Sequence, residues 1–214
     1  MKGRGAGRAF GLPRFSFYLI TDRHLVEDLT TAVQQALMGG VRAVQLREKD
    51  LGTRPLLELA GRMRELTAAS GAMLFINDRL DIALSVGADG VHLGGRSIPV
   101  YAARKVVKDA LSIGASAHSL KEAKRAEEEG ADFITLGPVY ATPSKQKYGL
   151  PVGLQTLRAV KEAVGIPVFA IGGIKTGNIE GALRAGADGI AVISGILSAP
   201  DIRAKTEEYM RYMR

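Results

Sequence analysis

Cationic, amide and carboxylate side chains follow directly after two apolar runs of this sequence, where they could bind a phosphorylated ligand. These residues are Gln45, Arg47, Lys49, Asn77 and Asp78. Arg47 and Lys49 lie two positions apart, so both side chains can point the same way and neutralise a diphosphate. Asp78 could provide a carboxylate for Mg²⁺, which bridges substrate phosphates with few protein ligands. The alternative is that Arg47 and Lys49 pair with Glu48 and Asp50 at the surface.

A second group of polar residues lies in the longest predicted loop, at positions 140–152. Thr142, Ser144 and Lys145 occur there, and hydroxyl and ammonium groups of this kind bind anions. Such a loop is typical of a lid that closes over an anionic substrate and excludes water. Lys145 would then join Arg47 at the diphosphate, although an ordinary surface loop also accounts for these residues.

Glycines that follow the last two apolar runs predict a phosphate site of a different kind. Gly172 and Gly173 end one run, Ser194 and Gly195 end the next, and a helix is predicted after each pair. Glycine lets backbone N–H groups approach a phosphate, and a helix N-terminus favours its negative charge. In barrels of alternating strands and helices, phosphate sites commonly lie after the seventh and eighth strands. These four residues fall at those two places.

The histidines offer one candidate for proton transfer. The chain has three histidines and no cysteine, which argues against a zinc site and excludes disulfide and thiolate chemistry. His118 follows Ser116 at the end of a predicted strand and could act as a general acid or base. A packing role explains His118 equally well, and the sequence leaves both open. We assign a structural role to His92 and a surface loop to His24.

The motif Gly-Ala-Asp occurs at residues 87–89, 130–132 and 186–188, each time between a helical pattern and an apolar run. Strands are predicted at Phe15–Thr21, Ala43–Leu46, Met73–Ile76, Gly90–Leu93, Leu111–Ala115, Phe133–Leu136, Pro167–Ile171 and Ile190–Ile193. Helices are predicted near 28–39, 54–69, 79–86, 99–109, 119–129, 153–164, 176–185 and 200–212. This alternation predicts an α/β fold, a single-domain (β/α)₈ TIM barrel, with an open doubly wound sheet as the alternative.

Composition indicates one globular domain, expected at 15–214 after a flexible basic tail at 1–14. The net charge is +7, but basic residues alternate with glutamate along predicted helices, which favours solvated faces over nucleic-acid binding. The positive excess suits small phosphate or diphosphate substrates. With no apolar run of bilayer length and no secretory signal, we expect no membrane partner and a cytoplasmic location. A homo-oligomer stays open.

Six motifs then occur in a characteristic order along the chain. They are YLITD at 18–22, QLREKD at 45–50, INDR at 76–79, GADGVHLG at 87–94, TPSK at 142–145 and IGGI at 171–174. With these motifs the chain resembles the superfamily of thiamine phosphate synthases and TenI-like thiazole tautomerases. The resemblance extends from about Phe15 to the C-terminus, and it is less specific between the two branches than for the superfamily.

The resemblance to the synthase branch implies a reaction and a role for each candidate residue. Hydroxymethylpyrimidine diphosphate would be joined to a thiazole phosphate carboxylate, with loss of diphosphate and CO₂ and with Mg²⁺ as cofactor. The residues implied at the pyrimidine diphosphate are Gln45, Arg47, Lys49, Asn77 and Lys145, with Asp78 at Mg²⁺. Those implied at the thiazole phosphate are Thr142, Ser144, Gly173, Ile193 and Ser194. Ser116 would lie near the departing diphosphate, so the candidate catalytic residues are Ser116, His118 and Lys145.

One position departs from the synthase pattern. Synthases usually have a second acidic Mg²⁺ ligand after the glycine that corresponds to Gly94, where this chain has Ser97. Serine adds no charge, so weaker metal binding is expected. The change would be natural in a tautomerase, with His118 as the proton-transfer residue, or in a regulatory protein that binds thiazole phosphate without turnover. Arg47, Lys49 and Asp78 favour the synthase, because a tautomerase has little use for a diphosphate site.

Overall fold

The computed structural model describes residues 15–142 and 150–213, which form a barrel of parallel strands closed in sequence order. The strands are β1 (Phe17–Ile20), β2 (Ala43–Leu46), β3 (Met73–Asn77), β4 (Gly90–Leu93), β5 (Ser112–Ala117), β6 (Phe133–Leu136), β7 (Val168–Ile171) and β8 (Gly189–Val192). β1 pairs with β8, with Tyr18 opposite Ala191. The predicted (β/α)₈ barrel is therefore confirmed, and the open sheet is wrong.

Helices surround the barrel and connect its strands. The described helices are α1 (Leu29–Met38), α2 (Thr53–Ala69), α3 (Leu80–Ser85), α4 (Val100–Val107), α5 (Leu120–Glu128), α6 (Gly153–Ala163), α7 (Ile179–Arg184), α8 (Ser194–Leu197) and α9 (Ile202–Met210). The sequence does not predict α8, because four residues are too few to reveal a helical period. The predicted β5 ends at Ala115, whereas pairing with β6 continues to Ala117 opposite Leu136.

Aromatic rings fill the barrel at the N-terminal ends of its strands. Three phenylalanines are register partners of glycines on adjacent strands: Phe75 of Gly90, Phe133 of Gly114 and Phe169 of Gly189. A side chain at any of these glycines would collide with the ring opposite. Phe15 closes this layer, with its ring centroid 5.0 to 5.7 Å from those of Tyr18, Phe75, Phe133 and Phe169.

The aspartate of each Gly-Ala-Asp motif is a structural clamp at this same end of the barrel. Each carboxylate accepts a hydrogen bond from the backbone of the preceding strand: Asp89 from Leu74 N (2.7 Å), Asp132 from Ile113 N (2.7 Å) and Asp188 from Val168 N (2.8 Å). Each also pairs with a helix cation, namely Arg64, Arg104 and Lys161 respectively. The repeated motif therefore joins strand, helix and next strand, and it lies away from the barrel mouth.

Two further expectations from the sequence concern the N-terminal tail and membrane-spanning segments. The basic tail at 1–14 lies outside the described residues, so its flexibility stays a prediction. Among the helices described above, none is long and apolar enough to cross a membrane.

Candidate active site

One cavity of about 880 Å³ opens at the carboxyl ends of the strands. The predicted site residues that line it are Gln45, Arg47, Lys49, Asn77, Asp78, Ser116, His118, Thr142, Gly173, Ile193 and Ser194. Ser144 and Lys145 lie outside the described residues. The fold thus brings together residues that are up to 149 positions apart in sequence (45 to 194), while the role of each remains a prediction.

The loop after β2 is held by a buried carboxylate. Glu48 accepts a hydrogen bond from the Thr21 hydroxyl (2.5 Å) and another from the Arg23 backbone N–H (3.1 Å). Thr21 Oγ1 in turn accepts the Arg47 backbone N–H at 2.9 Å. Asp50 pairs with the Arg23 guanidinium. Glu48 and Asp50 therefore bind partners on the neighbouring β1 loop, and these contacts fix the backbone that carries Arg47.

The floor of the cavity carries a buried pair from β1 and β2. Gln45 Nε2 donates to the Tyr18 hydroxyl at 3.2 Å, and both residues are almost fully buried. Burial raises the pKa of Tyr18 well above its usual range, although the hydrogen bond from Gln45 opposes this shift. Tyr18 therefore stays neutral at physiological pH, and its ring links the aromatic layer to the bottom of the cavity.

Asp78 has an unusual backbone conformation, and polar groups of Asn77, Gly94 and Ser97 lie next to its carboxylate. Its φ angle is 64°, in the left-handed region that an aspartate adopts more readily than most residues. Its carboxylate accepts hydrogen bonds from the Asn77 side-chain amide (2.7 Å) and from the Ser97 hydroxyl. Ser97 Oγ also accepts the Gly94 N–H at 2.7 Å. Ser97 thus lies directly against Asp78.

Asp78 and Ser97 offer a divalent cation few protein ligands. The described residues contain no cluster of three or more aspartate, glutamate, histidine or cysteine side chains that could hold a metal. One carboxylate with an adjacent hydroxyl nevertheless presents the hard oxygen atoms that Mg²⁺ prefers. Because Mg²⁺ keeps several waters and takes further ligands from substrate phosphates, Asp78 and Ser97 fit Mg²⁺ only together with a bound diphosphate.

His92, a buried residue of β4, lines the cavity and contacts β5 and β6. Its Nε2 atom is 3.1 Å from Ser116 Oγ and 3.4 Å from Thr135 Oγ1. The pKa of His92 is lowered to about 3, chiefly by burial; the Asp78 carboxylate opposes this shift, and the cations Arg47 and Lys49 reinforce it. The imidazole is therefore neutral at physiological pH.

His118 occupies the rim of the same cavity. Its backbone N–H donates to the Glu122 carboxylate at 2.7 Å, and its ring Nδ1 lies 3.3 Å from the same carboxylate. Its side chain is 53% exposed. The contact with Glu122 is the local hydrogen bonding expected of a packing residue, and the position on the rim keeps the ring accessible to a ligand.

The loop after β7 turns tightly at two consecutive glycines. Gly172 and Gly173 have φ angles of 90° and 67°, and a methyl group at Gly173 would stand 2.7 Å from the Ala141 carbonyl oxygen. Asn178 braces this turn from within: its side chain accepts the Lys175 N–H at 2.8 Å and donates to the Gly173 carbonyl at 2.9 Å. Glycine is therefore required at 173 both for conformation and for space.

The short helix α8 completes this side of the cavity. Ser194 begins α8, and the first N–H groups of a helix have no partner within it, so they can bind an anion. Buried Tyr209 on α9 donates its hydroxyl to the Ile174 carbonyl at 3.1 Å and so joins α9 to the β7 loop. Tyr140 donates to the Asn178 carbonyl at 2.9 Å, which anchors the start of the loop that contains Thr142.

Sequence reasoning did not assign His92 and Glu48 to the site. A signal for His92 was present, because His92 is the register partner of Asn77, a predicted binding residue at the end of β3. For Glu48 the sequence suggests an ion pair with Arg47 or Lys49. Its actual partner, Thr21, lies 27 residues away and is brought near by the pairing of β1 with β2.

The fold and this cavity define a class of protein: a closed (β/α)₈ barrel whose cavity opens at the carboxyl ends of its strands, with two positive-φ glycines directly after β7. A sequence model of the thiamine monophosphate synthase family matches residues 17–196. The chain belongs to this family, as the six motifs in its sequence imply.

Three similar proteins support this assignment. A protein from Geobacter sulfurreducens, provisionally named a thiamine-phosphate synthase, is 56% identical over 193 residues, which cover 89% of this chain and 91% of that protein. A thiamine-phosphate synthase from Moorella thermoacetica is 45% identical and covers 90% of this chain and 93% of its own. The solved structure of thiamine phosphate pyrophosphorylase from Pyrococcus furiosus superposes with a TM-score of 0.86 at 43% identity, covering 92% of this chain and 94% of that chain.

Proposed function

We propose that this protein is a thiamine-phosphate synthase, a transferase that joins hydroxymethylpyrimidine diphosphate to a thiazole phosphate carboxylate. The C–O bond between the pyrimidine methylene and the diphosphate breaks, and a C–N bond to the thiazole nitrogen forms. Diphosphate leaves with the electrons of the broken C–O bond, and the thiazole carboxylate leaves as CO₂. A proton from solvent takes up the electron pair that the loss of CO₂ leaves on the thiazole ring. The observation that carries the proposal is that one cavity holds both the cations after β2 and the glycine turn after β7.

The cationic side of the cavity binds the pyrimidine diphosphate in this scheme. Arg47, Lys49 and Asn77 hold the phosphate oxygens and stabilise the charge that grows on them as the C–O bond breaks. Gln45, from the floor, orients the pyrimidine ring. Asp78, with Ser97 beside it, would hold Mg²⁺, which when bound adds positive charge at the leaving diphosphate. Lys145 is proposed to add a further cation.

The glycine side binds the thiazole phosphate. Backbone N–H groups near Gly173 and Ser194 hold the phosphate, and Ile193 provides an apolar wall for the ring. Thr142 and Ser144 are proposed to add hydroxyl donors. Holding both substrates in one cavity directs the thiazole nitrogen at the pyrimidine methylene, and positioning of this kind lowers the barrier by removing the entropy of encounter.

This reaction needs no nucleophile from the protein. A Ser–His pair is present in Ser116 and His92, but the low pKa of His92 makes the imidazole a poor base. Ser116 is instead proposed as a hydrogen-bond donor near the leaving diphosphate. The electron pair for the new bond comes from the thiazole nitrogen.

The test is an assay of the purified protein with both substrates, with and without Mg²⁺. Thiamine phosphate that appears only with Mg²⁺ supports the proposal, and Arg47→Ala should lower kcat/KM at least about 100-fold because a transition-state charge is lost. If no thiamine phosphate forms while thiazole isomers interconvert, the protein is a tautomerase. Binding of thiazole phosphate without either reaction would identify a regulatory protein.

A further inference from the structure

The buried imidazole of His92 has one nitrogen with partners and one without. Nε2 is within hydrogen-bond distance of Ser116 (3.1 Å) and Thr135 (3.4 Å). Nδ1 is buried and has no hydrogen-bond partner among the described residues. The backbone of Gly114 packs against this nitrogen, since a methyl group there would stand 2.6 Å from Nδ1. The two nitrogens therefore lie in very different surroundings.

This asymmetry determines which nitrogen carries the proton. A neutral imidazole has one N–H and one bare nitrogen. A proton on Nδ1 would bury an N–H without an acceptor, and buried N–H groups without partners are rarer than acceptors without partners. A proton on Nε2 instead points at the oxygen atoms of Ser116 and Thr135. The Nε2–H tautomer is the one that these contacts favour.

The tautomer of His92 determines the hydrogen-bonding role of Ser116. If the imidazole donates to Ser116 Oγ, that oxygen acts as acceptor, and the serine O–H proton is free to rotate toward another acceptor. Ser116 lines the cavity that also holds Arg47 and Lys49. The hydroxyl proton is then available to an anionic oxygen bound by these cations.

We propose that His92 is a positioning residue that donates its Nε2–H to Ser116 and thereby presents the Ser116 hydroxyl as a donor to the leaving diphosphate. The identity of the anion rests on the proposed function, whereas the tautomer and the hydrogen bond do not. His92 is almost fully buried, and burial disfavours a charged imidazole. Neither residue exchanges a proton with the substrate in this arrangement.

Kinetics of variants test the coupling between the two residues. Ser116→Ala and His92→Leu should each lower kcat about 100-fold, because one transition-state donor is lost. KM for the thiazole phosphate should change less than about twofold, as that ligand is held at the opposite side. The double variant should be no slower than Ser116→Ala alone, since His92 acts only through Ser116. Losses that multiply in the double variant would overturn the proposal.

Two further variants separate positioning from packing. His92→Gln can place an amide N–H near the position of Nε2, so it should retain at least about a tenth of wild-type kcat. His24→Gln, at an exposed histidine outside the cavity, is the matched control and should keep full activity. Thermal unfolding of each variant identifies any loss caused by misfolding. Equal kcat losses in folded His92→Gln and His92→Leu would show that the donor is irrelevant and overturn the proposal.

A spectroscopic measurement tests the tautomer without any turnover. In ¹⁵N NMR spectra of the wild-type protein, the His92 signals should show a protonated Nε2 and a bare Nδ1, and Ser116→Ala should shift the Nε2 signal. A protonated Nδ1 would overturn the proposal. This result is independent of the assay, so a protein that makes no thiamine phosphate would refute the proposed function and leave the tautomer assignment to be decided separately.

Discussion

Glu48 lies in the loop after β2, and its contacts are with other parts of the protein. Its side chain is 1% exposed, and the carboxylate receives hydrogen bonds from Thr21 and from the Arg23 backbone. Thr21 in turn binds the backbone of Arg47. A charged group that is buried in this way is stable only while its partners remain. Glu48 therefore holds the β2 loop in the conformation that points Arg47 into the cavity.

Removing this carboxylate should affect binding through Arg47 as well as stability. We expect Glu48→Ala to raise KM for the pyrimidine diphosphate at least several-fold and to lower the free energy of unfolding by about 2 kcal/mol, because two buried donors lose their acceptor. Steady-state kinetics and urea unfolding measure the two effects. Asp50→Asn, at a half-exposed carboxylate of the same loop, is the control and should change each less. An unchanged KM in Glu48→Ala would contradict the role.

Ser97 offers a second prediction at this scale, because its hydroxyl binds Asp78 directly. Ser97→Asp would place a second carboxylate beside the first and should lower the Mg²⁺ concentration for half-maximal activity roughly tenfold, in line with the charge dependence of such sites. In Ser97→Asn the new side chain has the shape of aspartate without its charge, so the Mg²⁺ concentration for half-maximal activity should not fall. A Mg²⁺ titration of both variants decides the point. Identical curves for the Asp and Asn variants would mean that Ser97 does not face the metal.

At the scale of elements, the Gly-Ala-Asp clamps explain why a short repeated motif accompanies the strands of this barrel. Asp132 accepts the Ile113 N–H at 2.7 Å and pairs with Arg104 of α4. The Arg104 and Asp132 side chains are mostly buried, so water cannot easily take the place of either partner. The clamp fixes α4, β5 and β6 relative to one another at the end of the barrel opposite the cavity.

We predict that Asp132→Ala destabilises the protein without altering its site. The loss should be about 2 to 3 kcal/mol, because a buried N–H and a guanidinium lose their acceptor. KM values should stay within about twofold, since the clamp lies at the end of the barrel that contributes to stability. Urea unfolding and steady-state assays measure both quantities. Asp109→Ala, at an exposed position after α4, is the control; equal stabilities of the two variants would refute the clamp.

The elements also show what sequence reasoning could and could not predict. Apolar runs and glycines located every strand, because a parallel strand buried on both faces reads as a continuous apolar run. The cavity residues followed, since Arg47 and Asn77 come at or directly after strand ends. The contact of His92 with Ser116 could not be predicted, because it depends on the relative positions of two paired strands. The helix at Ser194–Leu197 was missed because of its length.

At the scale of the whole molecule, buried neutral His92 makes stability depend on pH. Its pKa is about 3 in the folded protein and about 6.5 in an unfolded chain. Between these values only the unfolded chain binds the proton, so the free energy of unfolding falls as the pH drops below about 6.5. The slope contributed by this one group reaches at most about 1.4 kcal/mol per pH unit.

This dependence can be isolated by comparing wild type with His92→Gln, which cannot titrate at that position. Urea unfolding at about pH 7 and about pH 5 should show a larger loss of stability in the wild type than in the variant. Carboxylates and the other histidines contribute equally to both proteins, so they cancel in the comparison. Parallel losses in the two proteins would mean that His92 is readily protonated in the folded state.

The aromatic layer under Phe15 has a consequence for how molecules pass through the enzyme. Because Phe15, Tyr18 and their neighbouring rings fill the barrel at the N-terminal ends of its strands, ligands reach the cavity from the carboxyl ends, where it opens. Within the described residues, substrates and products therefore enter and leave by the same end of the barrel. A product that stays in the cavity obstructs the next pair of substrates, so product release is a step that can limit turnover.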